Sequence, residues 1–140
     1  MRILVTGDRN WTDGERIKNV LKCFPLNTVL IHGNARGADK IAAGIAFDLG
    51  WEIIAFSAKW EKYGKAAGVK RNREMYDTGK PDIVIAFHND LNNSKGTKNM
   101  VKYAGKKGTY CFLVTGTSYF IDNELIETQN KAIYTKTHTP

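Results

Sequence analysis

One hundred and forty residues is the span of one ordinary domain, long enough to bury a core without disulfide or metal staples. With 42% hydrophobic and 25% charged residues the composition is that of a soluble globular protein, and no apolar run approaches the roughly 20 residues of a membrane-spanning helix. The formal charge of +7 attracts phosphate-bearing partners and also aids solubility; it is not gathered in a basic tail, so nucleotide, nucleic acid and plain solubility all stay open.

The opening segment, Met1–Gly7, has too short an apolar stretch for a signal peptide. Cys23 and Cys111 lie far apart, with neither a CxxC partner nor a histidine cluster nearby. Together these predict a cytoplasmic protein with reduced, at least partly buried thiols.

In chain order, Arg2–Thr6 is a short apolar run ended by Gly7, as expected of a fully buried strand. Asp8–Trp11 is a polar loop. Thr12-Asp13-Gly14-Glu15 fits a capping box, with the Thr12 side chain serving the third helical residue and Glu15 reaching back. Ile17, Val20, Leu21 and Phe24 follow at helical spacing, and Pro25 stops the helix. Thr28–Ile31 is a second buried strand. Beyond the loop His32–Gly37, a helix carries Ile41, Ala42, Ile45, Ala46 and Leu49 inward, with Gly50 as its C-terminal cap.

Trp51–Phe56 predicts a third strand, Ser57–Gly68 a long polar and aromatic loop, and Val69–Asp77 a short helix closed by Gly79. Asp82–Phe87, after Pro81, is a fourth strand. Asn89–Ser94 reads as loop, with Ser94 the N-cap of a helix through Lys106 that presents Met100, Val101 and Ala104 as its apolar stripe. Thr109–Val114 is a fifth strand. This alternation predicts an α/β three-layer sandwich, a mostly parallel sheet of about five strands with helices on both faces. The rhythm changes near Thr115. Residues 1–116 are expected to form the domain and 117–140 a short C-terminal extension, in which Ser118–Ile121 and Ala132–Thr137 are candidate strands of a hairpin.

In an open parallel sheet, ligands bind beyond the carboxyl ends of the strands, near a reversal of strand order. Thr6-Gly7-Asp8-Arg9 follows the first strand, His32–Asp39 the second, and Asn93-Ser94-Lys95-Gly96-Thr97 opens the helix after the fourth, so these segments converge on one edge. Glycine lets backbone amides approach a phosphate, and a helix N-terminus offers unsatisfied N–H groups and a positive dipole. Gly33, Gly37 and Gly96 fit that role, with Arg36 and Lys95 adding charge and Ser94 and Thr97 adding hydroxyls; Gly7 and Arg9 join from the first turn. Any one loop could be simply a tight turn. Together, with basic residues embedded, they favour phosphate binding. Neither G-x-x-x-x-G-K-[ST] nor G-x-G-x-x-G occurs, which argues against a P-loop ATPase and a dinucleotide dehydrogenase.

Further along, Arg71 and Arg73 beside Glu74 could clamp a phosphate or ribose through forked guanidinium donors, or belong to an ordinary solvated helix. Trp11, Trp60 and Tyr63 are candidates to stack on a base or to cover the sheet edge. His32 and His88 each end a strand without an HxxxH or H-x-E pattern; His32 is expected to fix loop geometry, and no metal or cofactor is called for. Lys95, Lys98, Lys102 and Lys106 recur at helical spacing, as a solvated face or as contacts to nucleic-acid phosphates.

Taken in order, Val5–Trp11, His32–Asp39, Arg71–Met75 and Ser94–Thr97 resemble the SLOG superfamily, specifically its YspA/YpsA-related branch of small bacterial and phage proteins, over about Met1 to Val114. The resemblance implies a Rossmann-like fold. The superfamily includes the Lonely Guy phosphoribohydrolases, which cleave the N-glycosidic bond of nucleoside 5′-monophosphates, the DNA-binding protein DprA, and domains proposed to sense nucleotide-derived signals. It would put Ser94, Lys95, Gly96 and Thr97 at the hydrolases' phosphate-binding glycine–threonine turn, and Arg71 or Arg73 at their active-site arginine. Where those enzymes carry a catalytic glutamate this chain has Met100, which can neither stabilise an oxocarbenium-like centre nor activate water.

The expectation is therefore a small nucleotide-type ligand. An N-glycosidase with a relocated acid drawn from Asp8, Asp39 or Glu74, working with Arg71 or Arg73, is the alternative. Single-stranded nucleic acid is a third partner class, no membrane partner is expected, and a homodimer follows by analogy with relatives.

Overall fold

Short apolar runs that end in glycine or a polar residue become the strands β1 (Arg2–Gly7), β2 (Val29–His32), β3 (Glu52–Ala55), β4 (Ile83–Phe87) and β5 (Tyr110–Val114). The computed structural model describes residues 1–116, 118–121 and 124–127. All five strands pair in parallel in the order β3-β2-β1-β4-β5, with Leu4 of β1 opposite Ile31 on one side and Val84 on the other. The helices are α1 (Gly14–Leu21), α2 (Ala38–Asp48), α3 (Trp60–Tyr63), α4 (Ala67–Gly79) and α5 (Gly96–Lys106). This is the Rossmann-like α/β architecture expected from the sequence.

The two-residue period of a strand divides the core into two layers. Ile3, Val5, Leu30, Ile85 and Phe87 point to the side of α1 and α2, where they meet Ile17, Val20, Leu21, Ala42 and Ala46. Leu4, Ile31, Val84 and Ala86 point the other way, onto Met75 of α4 and Met100, Val101 and Ala104 of α5. Each fully buried isoleucine, leucine, valine, phenylalanine or methionine among them contributes about 1.5–3 kcal/mol. Sheets covered on both faces need such continuous apolar strands, which is why β1 and β4 read as runs rather than as alternations.

Local differences from the sequence reading have physical causes. The cap of α1 is Asp13, not Thr12: its carboxylate accepts from the Arg16 amide at 3.0 Å. An ionised oxygen at that position also meets the positive end of the helix dipole. Ser57–Gly68 is not all loop, because it contains α3 and a 3-10 turn at Gly64–Ala66 that runs into α4. Gly79 does not close α4 as a left-handed cap. It stays helical against Ile31, where an added Cβ would fall 3.1 Å from Cδ1, and Lys80 takes the left-handed conformation (φ 50°, ψ 59°) instead. Gly50 does cap α2 as expected, at φ 79°, with the Trp51 amide reaching back to the Ala46 carbonyl.

Beyond the sheet, β6 (Ser118–Ile121) is the first expected extension strand, and it pairs in antiparallel register with β7 (Glu124–Glu127). The second expected strand, Ala132–Thr137, lies outside the described residues. Among the described residues no helix is long and apolar enough to cross a membrane.

Candidate functional site

The chain steps from β1 outward through β2 to β3, then returns to the other side of β1 with β4 and β5. Strand order therefore reverses between β1 and β4, the place at which open parallel sheets form a ligand crevice beyond the carboxyl ends of the strands. The two ends are tied together there, since the Asp8 amide donates to the Phe87 carbonyl at 2.9 Å.

The β2–α2 loop is held by its own side chains. His32 is buried, and its Nδ1 accepts from the Asn34 amide at 2.9 Å, which leaves the proton on Nε2. Burial, with Lys40 and Arg71 nearby, pushes its pKa below the ordinary imidazole range, so it stays neutral and shapes the loop. Asp39 accepts at Oδ2 from the amides of Gly33 (2.9 Å) and Ala35 (3.4 Å). The Gly33 amide, expected to face a phosphate, thus holds an internal carboxylate. Desolvation raises that carboxyl to about 6, against the opposing pull of those amides, Arg71 and Arg9.

Gly33 serves a different neighbour. An added Cβ would lie 2.8 Å from Arg71 Nη1, which donates to the Gly33 carbonyl at 2.6 Å. Arg71 Nε in turn donates to Asn72 Oδ1 at 3.0 Å. Asn72 is 2% exposed, and its Nδ2 donates to the Gly96 carbonyl at 3.1 Å and to Asn99 Oδ1 at 3.0 Å. One run of side-chain hydrogen bonds therefore joins the Gly33 loop to the start of α5.

At that start, Ser94 caps the helix as expected, its Oγ accepting from the amides of Thr97 (3.1 Å) and Lys98 (3.4 Å). Thr97 is buried, whereas Lys95 is exposed. Gly96 differs from the other site glycines. Among the described residues, no heavy atom beyond its chain neighbours and the backbone of its own helix lies within 4 Å of where its Cβ would be. Gly7 and Gly37 have packing reasons: a Cβ on Gly7 would collide with the Phe87 carbonyl and Ala38, and one on Gly37 (φ 76°) with the Asp8 and Arg9 carbonyls. These two bring the β1–α1 loop onto the start of α2; at Gly96 packing leaves the space open.

The remaining expected residues divide. Arg9 stands 5.7 Å over the half-exposed Trp60 ring, so it joins α3 to the site. Arg36 reaches Asn10 Oδ1 at 3.5 Å on the outer side of the loop. Tyr63, at the rim, carries Lys62 and Lys70 against its ring. Trp11 is a core residue, 5% exposed, packed edge-on against Phe87 with its indole N–H on the Asp13 carbonyl. Trp60 and Tyr63 are left as the exposed aromatics of the set. Arg73 leaves the cluster for the Tyr103 ring, at 5.6 Å, and Glu74 is exposed beside it. Asp8 turns its carboxylate to the Asn10 amide at 2.9 Å. Met100 is fully buried in the layer beneath α4 and α5.

Sequence reasoning gave Asn72, Asn99 and Lys40 no role. Asn72 had a legible signal: it shares the inward stripe of α4 with Met75 and Gly79, where a polar residue needs partners.

The model of the family described as YspA, cpYpsA-related SLOG family matches residues 1–63. The Gene 61 protein of Mycobacterium phage D29 is 38% identical over 116 aligned residues, in a match that covers 76% of this chain and 90% of that relative. No solved structure matches significantly.

Proposed function

The chain belongs to the YspA, cpYpsA-related SLOG family, and on that premise we propose that it binds a phosphate-bearing nucleotide-type ligand in the crevice beyond β1 and β4, over Gly96. The observation that carries this reading is the open space at Gly96, bordered by the Arg71–Asn72 hydrogen bonds. A phosphate there would meet the N-terminal end of α5 with its dipole, near Lys95 and Arg71. Arg71 is well suited to the task, since its direction is already fixed by Gly33 and Asn72 and little order remains to be imposed on binding. Trp60, next to Arg9, offers an exposed ring for a base. Asp39, buried behind Arg71, balances part of the positive charge.

Calorimetric titration with nucleoside 5′-monophosphates and the matching nucleosides tests this. Saturable binding of at least one monophosphate is expected, with the unphosphorylated nucleoside at least about tenfold weaker, a difference of about 1.4 kcal/mol. Equal affinity for nucleoside and nucleotide, or no binding of either, contradicts it.

Asp39 favours a second reading, an N-glycosidase with a relocated acid. A carboxyl raised to about 6 beside an arginine can deliver a proton near neutral pH. Release of free base from a nucleoside monophosphate, lost in Asp39→Asn, would establish it. Binding without base release would leave the protein a binder.

A further inference from the structure

A groove of about 660 Å³ runs along the outer side of the β1–α1 loop, away from Gly96, between that loop and the first turn of α2. Arg9, Asn10, Thr12, Arg36 and Lys40 bring polar groups to it, and Ile41 supplies an apolar wall. None of its three cations has an ion pair among the described residues. The nearby acids are otherwise engaged: Asp8 accepts from the Asn10 amide, and Asp39 is buried on the amides of Gly33 and Ala35. Three like charges lining one groove repel one another, and an anion relieves that repulsion.

Arg9 makes this groove continuous with the crevice. It lines the groove, lies over Trp60, and acts electrostatically on both Asp39 and Arg71. The Gly37 turn separates the two spaces, packed so tightly on the Asp8 and Arg9 carbonyls that a ligand must pass over it rather than through it.

We infer that the groove is a second anion subsite for the same ligand, and that this ligand belongs to the nucleotides phosphorylated at two separate positions. The inference rests on the nucleotide reading of the Gly96 crevice. One phosphate lies over Gly96, the nucleoside spans the Gly37 turn beside Arg9 and Trp60, and the other phosphate meets Arg36 and Lys40. Guanidinium and ammonium groups suit this division, the first as a fork and the second as a point charge.

Calorimetry with adenosine 5′-monophosphate, adenosine 3′,5′-bisphosphate and the dinucleotide pApA, on wild type, Lys40→Glu and Lys40→Arg, tests it. Lys40 is exposed on α2, so its replacement leaves the fold intact. At least one doubly phosphorylated probe is expected to bind wild type about tenfold tighter than the monophosphate. Lys40→Glu should remove that advantage while leaving monophosphate affinity unchanged, and Lys40→Arg should keep it. If the monophosphate binds and a second phosphate adds nothing, or if Lys40→Glu weakens all probes equally, the subsite is wrong and the crevice reading survives. If no probe binds, both fall. A 12-residue oligothymidylate that binds more tightly than any probe, with affinity falling steeply in salt, would make the groove a nucleic-acid track and overturn the inference.

Discussion

Asn72 and Gly96, 24 residues apart in the chain, are joined by a 3.1 Å hydrogen bond from the Asn72 amide to the Gly96 carbonyl. Its other side-chain atom accepts from Arg71, which holds the Gly33 carbonyl. Consecutive residues of α4 therefore fix both loops that flank the crevice, although neither loop shares an element with them. The site's geometry depends on a helix that contributes no glycine to the expected phosphate contacts.

Replacing Asn72, itself buried, with alanine leaves the partly buried Gly96 carbonyl, Asn99 and Arg71 Nε short of partners. A loss of about 2–3 kcal/mol is expected, read as a lower urea midpoint with the slope unchanged. A loss under about 0.5 kcal/mol, the size of an ordinary surface change, would show that the hydrogen bonds are incidental.

Two glycines should respond in opposite ways. Gly37→Ala forces a side chain into a left-handed backbone and onto two carbonyl oxygens, so it should destabilise by at least about 1–2 kcal/mol. Gly96→Ala meets open space at a helix start and should leave stability unchanged or slightly raised. Its methyl group fills space assigned to the ligand, so monophosphate affinity should fall about tenfold. Thermal melts and calorimetry on the pair would expose the error if Gly96→Ala bound normally.

Asp39 gives stability a pH dependence. The folded protein holds this proton up to about pH 6, whereas an aspartate in the unfolded chain titrates near about 4. Its contribution to stability is therefore fully present below about pH 4 and is lost as pH rises through about 6. Urea unfolding from pH 4 to 7 should show wild type losing stability relative to Asp39→Asn, by on the order of 2 kcal/mol, while His32, with its lowered pKa, acts alike in both. Parallel curves for the two proteins would refute the assignment.

Met100 tests the link between position and reaction. Because it is fully buried between α5 and the sheet, Met100→Glu places an unpaired carboxyl in an apolar layer and should cost several kcal/mol. Met100→Leu should cost less than about 1.5 kcal/mol. If Met100→Glu folded normally and released base from a monophosphate, the residue would border the site rather than the core.

Much of the fold was legible because both faces of the sheet are covered. Ile3–Val5 and Ile83–Phe87 are continuous apolar runs bounded by polar residues, which few other structures require. Helix caps were less legible: Thr12 and Asp13 are adjacent acceptors, and their order was settled by backbone geometry rather than by residue type. The glycines stand at the turns the sequence indicates, but the reason for each was not separable. Gly33 makes room for Arg71, Gly37 for a neighbouring turn, and only a three-dimensional environment distinguishes these from Gly96. Arg71 and Arg73 looked equivalent in sequence, yet two residues on a helix differ by about 200° of rotation, and the first meets Gly33 while the second lies on Tyr103.

Backbone amide mapping by nuclear magnetic resonance, during titration with adenosine 5′-monophosphate and its nucleoside, tests the crevice most directly. The phosphorylated ligand alone should move the signals of Gly96, Thr97 and Gly33 in a saturable way, with those of β5 unmoved. Saturable shifts elsewhere that leave Gly96 and Thr97 still, or no shifts with any nucleoside monophosphate, would contradict the account.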